Sequence, residues 1–399
     1  MNKQTYLIQD LQYGDGGKGK LCDMLITNLL KTNDKSNLVC IRYNGGENAG
    51  HTVYIDNVKY FCNSIPCGIF NNIDCYIASG CVFNPITFLN EVDRLEKVGM
   101  TTNIYVSSLV SVITEEHILR DKKSNGSIGT TNKGIGPCYS DNVARCGIRL
   151  GMLMDNSYHN LTDYRFSDEV IEKLRKYVIN DNEITNLFLS DKIIILEGAN
   201  ALMLDNKNGT YPYSTSSDCS FGGVFTGLNI SPLFLTLRKW EIIMVIKAYM
   251  TRVGNGILPT EEKGEIGERL QINGNEFGTT TGRKRRCGWL DLVQLRFAMD
   301  KFMPVKTENE NIKFYINLTK LDILKMLGKE SVKVAIDYED NKRYPLNGYE
   351  LENVKPVYTT IDDFENNTDV FINMIEKELN CKIKYLNTGK NRDDIIIFD

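Results

Sequence analysis

Apolar residues gather in short unbroken runs, separated by longer amphipathic stretches or glycine-rich loops. The runs Thr5–Asp10, Asn37–Tyr43, Asp74–Ala78, Asn103–Ser107, Lys192–Leu196, Ile242–Ala248, Phe314–Leu318, Val332–Asp337 and Ile383–Leu386 are rich in Ile, Val, Leu, Tyr or Cys. Such runs are what strands buried on both faces of a parallel sheet require. Helical spacing falls between some of them. Ser167–Ile179 carries Val170, Ile171 and Leu174; Trp289–Phe302 carries Leu290, Val293 and Phe297; Asp369–Leu379 carries Val370, Phe371 and Met374. The alternation predicts an α/β fold, one large domain over residues 1–399 around a mostly parallel central sheet, with long loops carrying the chemistry. The polar stretches Lys122–Gly126 and Glu308–Asn311 read as surface loops.

Composition narrows the class. A 399-residue chain with 42% hydrophobic and 25% charged residues has enough apolar side chains for a large core. A net charge of −4 argues against a generic nucleic-acid binder. No apolar run is long enough to span a bilayer, and the N-terminus lacks a signal-peptide pattern, so the expected location is the cytoplasm. The eleven cysteines contain no C-x-x-C pair and none is flanked by His51, His117 or His159 in zinc-site spacing; free buried thiols are expected.

Six polar segments carry candidate chemistry. The first, Gly14-Asp15-Gly16-Gly17-Lys18-Gly19-Lys20, follows the run Thr5–Asp10 and precedes Leu21, Met24 and Leu25. Glycines let backbone N–H groups turn toward an anion, the following helix adds its positive end, and Lys18 supplies a point charge. The spacing is shorter than GxxxxGK[ST] and Lys20 replaces Ser/Thr, so the turn is only P-loop-like; a tight turn and a phosphate cradle both fit it. A carboxylate beside a polyphosphate is repelled unless a metal bridges them or it acts as a base, which singles out Asp15.

The second segment, Arg42 to Val53, surrounds His51 with small residues on what reads as a mobile loop, a setting for a general acid or phosphate ligand. In the third, Thr130 and Thr131 lie among glycines with Arg145 and Arg149 downstream, a candidate monoester-phosphate site. In the fourth, Glu197 ends a buried strand ahead of Asn200 and the hydroxyl cluster Thr210–Ser217, where open sheets bind ligands. The fifth, Gly278 to Trp289, sets three threonines before Arg283, Lys284, Arg285 and Arg286; guanidinium forks pair with carboxylates, although a basic run can also be a solvated face. The last is Thr319-Lys320-Leu321-Asp322, where a strand-end carboxylate can accept two N–H groups of guanine.

These segments together resemble adenylosuccinate synthetase, the family joining IMP and aspartate at the expense of GTP. The resemblance runs in order from Gln12 to Arg392 through GDGGKGK, NGGENAGHTV, SIGTTNKGIGP, EGANALMLD, GTYPYSTSS, TRVGNGILPTE, TTTGRKRRCGWLD, TKLD and NTGKNR. The Asn of EGAN is similar to fungal and other eukaryotic members. The resemblance implies a ligase making adenylosuccinate, GDP and phosphate through a 6-phosphoryl-IMP intermediate. It implies that Asp15 takes the N1 proton of IMP and ligates Mg²⁺ with Gly50, while His51 is the acid at the transferring phosphate. Gly14, Gly16, Gly17, Lys18, Gly19 and Thr52 would hold GTP phosphates, Lys18 with a catalytic part, and Lys320, Asp322, Thr388 and Gly389 would surround guanine. IMP would meet Asp15, Asn48, Thr130, Thr131, Asn200, Thr215, Val253, Gly254, Arg283 and, from a second subunit of a homodimer, Arg145. Aspartate would meet Thr279, Thr280, Thr281, Gly282, Arg283 and Arg285. Gly16, Tyr13 and Lys390 stand where the family usually has an acid, Trp and Pro. Two other readings compete: a 2-aminoadenylosuccinate synthetase acting on dGMP, and a GTP-binding regulatory protein without catalysis. Asp15, His51 and the threonine-arginine loop favour the active enzyme on IMP.

Overall fold

Ten strands build the central sheet: β1 (Gln4–Asp10), β2 (Leu38–Arg42), β3 (Asp74–Ile77), β4 (Ile104–Ser107), β5 (Val178–Ile179), β6 (Ile193–Ala201), β7 (Lys239–Lys247), β8 (Ile312–Thr319), β9 (Ile383–Asn387) and β10 (Ile395–Ile397). They lie in the order β10-β9-β8-β7-β1-β6-β2-β3-β4-β5, and every pairing is parallel except that of β9 with β10. The computed structural model describes residues 3–155, 166–278, 282–303, 309–339, 344 and 348–398.

Both faces of the sheet are covered, which is why its strands read as unbroken apolar runs. Along β7, Ile242, Met244 and Ile246 enter one core while Ile243 and Val245 enter the other. Leu7 and Ile8 divide in the same way on β1, as do Ile194 and Ile195 on β6. Eight of the nine strands expected from sequence lie in this sheet. The ninth, Val332–Tyr338, instead pairs with Leu290–Asp291 and Pro356–Ile361 in a separate three-stranded sheet.

Of the expected helices, Thr368–Leu379 and Leu292–Phe302 form, the latter capped by the Asp291 side chain on Gln294 N–H. Ser167–Ile179 divides into a helix over Asp168–Arg175 and the strand β5. The stretch Lys122–Gly126 is not a loop: it lies in the helix Glu115–Ile128. Thr114 and His117 cap that helix reciprocally and Glu115 and Glu116 favour its positive end, so local capping outweighs a polar composition. Part of the other expected loop, at Glu308, lies outside the described residues. All eleven cysteines are free and ten are buried; Cys146 is exposed, contrary to expectation. Among the described residues, no helix is long and apolar enough to cross a membrane.

The strand order turns back at β1, which lies between β6 and β7. Ligand sites in open parallel sheets form at the carboxyl ends beside such a reversal. The segments singled out by sequence leave the sheet there: Gly14–Gly19 after β1, Asn44–His51 after β2, Asn200 on β6, Arg252–Gly256 beyond β7, Lys320–Asp322 after β8 and Thr388–Gly389 after β9.

Candidate active site

A cavity of about 1170 Å³ opens where these strand ends converge. Its wall includes Gly14, Asp15, Gly16, Gly17, Lys18 and Gly19; Asn48, Gly50, His51 and Thr52; Thr130 and Thr131; Asn200 and Thr215; Val253; Gly282, Arg283 and Arg285; Lys320 and Asp322; and Gly389. Three expected residues are placed elsewhere. Gly254 is off the wall, its carbonyl accepting from Arg286 Nη2 (3.0 Å). Thr388 is exposed and its N–H donates to the Asp394 carbonyl (2.9 Å). Arg145 is exposed just past the helix Ile135–Ala144, with φ 66°, and does not reach the cavity. Thr279, Thr280 and Thr281 lie outside the described residues.

The turn after β1 is held from several sides. Gly17 caps the helix Lys18–Leu29 at φ 94°, which glycine adopts without strain. The Asp10 carboxylate accepts from Gly16 N–H (2.9 Å), and Thr319 Oγ1 donates to the Gly16 carbonyl (3.0 Å). Lys247, wholly buried, donates from Nζ to the Gly14 carbonyl (3.0 Å). Lys20 donates to the carbonyls of Gly389 (2.8 Å) and Asp394 (2.7 Å), tying the start of this helix to the C-terminal turn. Burial lowers its pKa to about 8. Asp15 sits at φ 55°, a left-handed conformation that Asp tolerates, and its Oδ2 pairs with Arg285 Nη2 at 2.8 Å. Lys18 Nζ donates to the Asn200 carbonyl (2.5 Å), and Ser217 Oγ donates to Asn200 Oδ1 (3.3 Å).

His51 is not on a mobile loop: it begins the strand His51–Ile55, which pairs with Val58–Cys62, and it is buried. Gly19 makes this packing possible, since a Cβ there would lie 2.9 Å from the Cβ of His51. His51 Nδ1 makes a short contact with Glu197 Oε1, and Glu197 Oε2 accepts from Cys67 N–H (2.8 Å). Arg42 Nη2 lies 3.6 Å from Glu197 Oε2 and 3.2 Å from His51 Nδ1. Burial opposes ionisation of Glu197, but its contacts with His51, the charge of Arg42 and the hydrogen bond from Cys67 outweigh it and hold the carboxyl well below its usual range. An ionised carboxylate only accepts, which assigns the Nδ1 proton to His51 and leaves Nε2 for a ligand. Burial and Arg42 lower the His51 pKa to about 4, so the ring is neutral near pH 7 when the cavity holds no anion.

This depressed pKa has a measurable consequence. The unfolded chain takes up the His51 proton near pH 6.5 and the folded one only near 4, so the stability it contributes is present above pH 6.5 and lost as pH falls through that window. Full loss amounts to about 3 kcal/mol for a buried group. Between pH 7 and 4, denaturant unfolding of His51→Gln should therefore change less steeply than that of the unmodified protein; equal slopes would refute the assignment.

Lys247 and Glu276 carry no local signal of a site; each joins it through contacts distant in sequence, Lys247 with Gly14 and Glu276 with Lys320. His51, Cys67 and Glu197 bring ligand atoms within 4.8 Å of one another, a grouping that spacing along the chain did not reveal. The basic run divides by role: Arg283 and Arg285 line the cavity, while Arg286 pairs with Glu261 (3.0 Å) and holds the 254–256 turn.

The model for the family described as adenylosuccinate synthetase matches residues 7–396. An adenylosuccinate synthetase of Coccidioides posadasii is 37% identical, across 98% of this chain and 99% of its own. One from Fusobacterium nucleatum is also 37% identical, across 96% and 92%, so overall identity does not separate fungal from bacterial relatives. The structure of fully ligated adenylosuccinate synthetase from Plasmodium falciparum superposes with a TM-score of 0.85 at 32% identity, covering 99% of each chain.

Proposed function

Because this chain belongs to the adenylosuccinate synthetase family, we propose that the cavity ligates L-aspartate to IMP at the expense of GTP. The family is a ligase of AMP biosynthesis with GTP as co-substrate. The observation that carries this reading is the gathering of Asp15, Lys18, His51 and Arg285 around one cavity at the strand ends.

Asp15 removes the N1 proton of IMP, which raises the electron density on O6 for attack on the γ-phosphorus of GTP. Lys18 and the backbone of Gly14–Gly19 hold the phosphates, and His51 offers Nε2 to the transferring group. Once a phosphoryl dianion stands there, its charge raises the His51 pKa, and the ring becomes a donor anchored by Glu197. The amine of aspartate, its carboxylates paired by Arg283 and Arg285, then displaces phosphate from C6. A carboxylate at Asp15 and a carbonyl at Gly50 on the cavity wall are the hard oxygen donors that Mg²⁺ takes, and the ion would spread the charge of the phosphoryl group. A cytoplasmic location accompanies this reading.

The test is phosphate release with GTP, Mg²⁺, L-aspartate and IMP, omitting each in turn. Release that requires all four supports the reading. Release with dGMP in place of IMP would move the chain to the 2-amino reaction, and GTP binding without release would leave a regulatory protein.

Arg145, exposed and not on the wall of its own cavity, is assigned to the IMP phosphate of a second copy. Mixing Arg145→Leu with Asp15→Asn, each inactive alone, should then restore about a quarter of the original rate, since half the random dimers carry one intact site. No recovery after subunit exchange would remove this assignment.

A further inference from the structure

Glu276 lies between two side chains, Arg285 and Lys320, that the family resemblance assigns to different substrates, aspartate and the guanine of GTP. It is fully buried, and its Oε2 receives Arg285 Nη1 at 2.5 Å while Oε1 receives the Tyr249 hydroxyl at 2.7 Å. Lys320 Nζ stands 3.6 Å from the same Oε1 and donates to the Gly274 carbonyl (2.6 Å). The other arm of Arg285 is the one that meets Asp15. Glu276 also closes the base of the threonine-arginine loop. Arg285 N–H donates to the Glu276 carbonyl (2.9 Å), Phe277 bridges Lys284, and Gln271 Nε2 donates to the Arg285 carbonyl (2.8 Å).

We propose that Glu276 is a positioning residue whose one carboxylate aims Arg285 at Asp15 and anchors Lys320, coupling the aspartate side of the cavity to the guanine side. The inference rests on the reading given under Proposed function. A guanidinium free to swing and a lysine free to rotate each cost binding, because a charge-assisted contact orients as well as attracts. Burial disfavours the charge on Glu276, but Lys247, Lys320 and Arg285 hold its pKa at about 2, so the carboxylate stays ionised throughout the working range.

The experiment compares the full-length protein with Glu276→Gln and Glu276→Asp. In Glu276→Gln the KM for L-aspartate and the Kd for GDP, measured by calorimetry, should each rise roughly tenfold, while the KM for IMP stays within about twofold. Glu276→Asp keeps the charge and should recover most of both. A merely structural role predicts all three constants drifting together with a lowered Tm and no rescue by Asp; that pattern, or constants unchanged, overturns the proposal. Lys320→Met gives an independent reading. At saturating GTP it should still raise the KM for aspartate, and an unchanged KM refutes the coupling. If the unmodified protein releases no phosphate, the proposed function falls, whereas GDP affinity still decides whether Glu276 orders Lys320.

Discussion

Replacing Asp15 with asparagine is expected to lower IMP-dependent phosphate release roughly a thousandfold or more, the range set by loss of a general base together with a negative charge at the reacting centre. Asn tolerates the same left-handed backbone, φ 55°, so the turn keeps its shape. Lys247 still holds Gly14 and the Asp10 carboxylate still holds Gly16. What disappears is the ability to take a proton from N1, together with the anionic oxygen offered to Mg²⁺. The substitution also releases Arg285 from its 2.8 Å partner, so that guanidinium becomes more available to an incoming carboxylate. Steady-state kinetics should therefore show a collapsed kcat with no rise in the KM for aspartate, and calorimetry without Mg²⁺ an unaltered GDP affinity. Residual release above about a tenth of the original would take the base assignment away from Asp15.

The sheet was legible because its strands are buried on both faces; Ile242 to Ile246 form one apolar run only because neighbouring side chains enter different cores. Most of the cavity wall was legible too, since glycine-rich turns at strand ends occupy contiguous stretches such as 14–19. Charges that act across the sheet were not. Glu276 and Lys320 are 44 positions apart, and His51 and Glu197 are 146. Nothing local in Asn275-Glu276-Phe277 marks a hub; only folding brings Arg285 and Lys320 to it. His51 was misplaced for a related reason. The glycines before it read as a loop, but its own pairing with Cys62 makes it the first residue of a strand. Lys20, standing where a P-loop would carry Ser or Thr, holds the Gly389 turn instead, a partner 369 residues away.

The pair His51 and Glu197 gives the second large effect. His51→Ala removes the only imidazole on the cavity wall among the described residues and is expected to lower kcat by roughly a hundredfold or more. Glu197 touches no substrate in this reading; it keeps the proton on Nδ1 and supports the charged ring once a phosphoryl group arrives. Glu197→Gln should accordingly lower kcat in the same direction while leaving the KM values for IMP and aspartate nearly unchanged. Since Glu197 acts through the ring, the double variant should be no slower than His51→Ala alone, and fully additive losses would sever the two roles. Stability must be read separately. Glu197→Gln leaves Arg42 buried without its carboxylate, and breaking such a pair costs about 3–5 kcal/mol. His51→Ala keeps the Arg42–Glu197 pair, so it should unfold nearer the original midpoint. The two variants would thus rank one way in kcat and the opposite way in stability, an ordering that a general loss of packing around Cys67 would not produce.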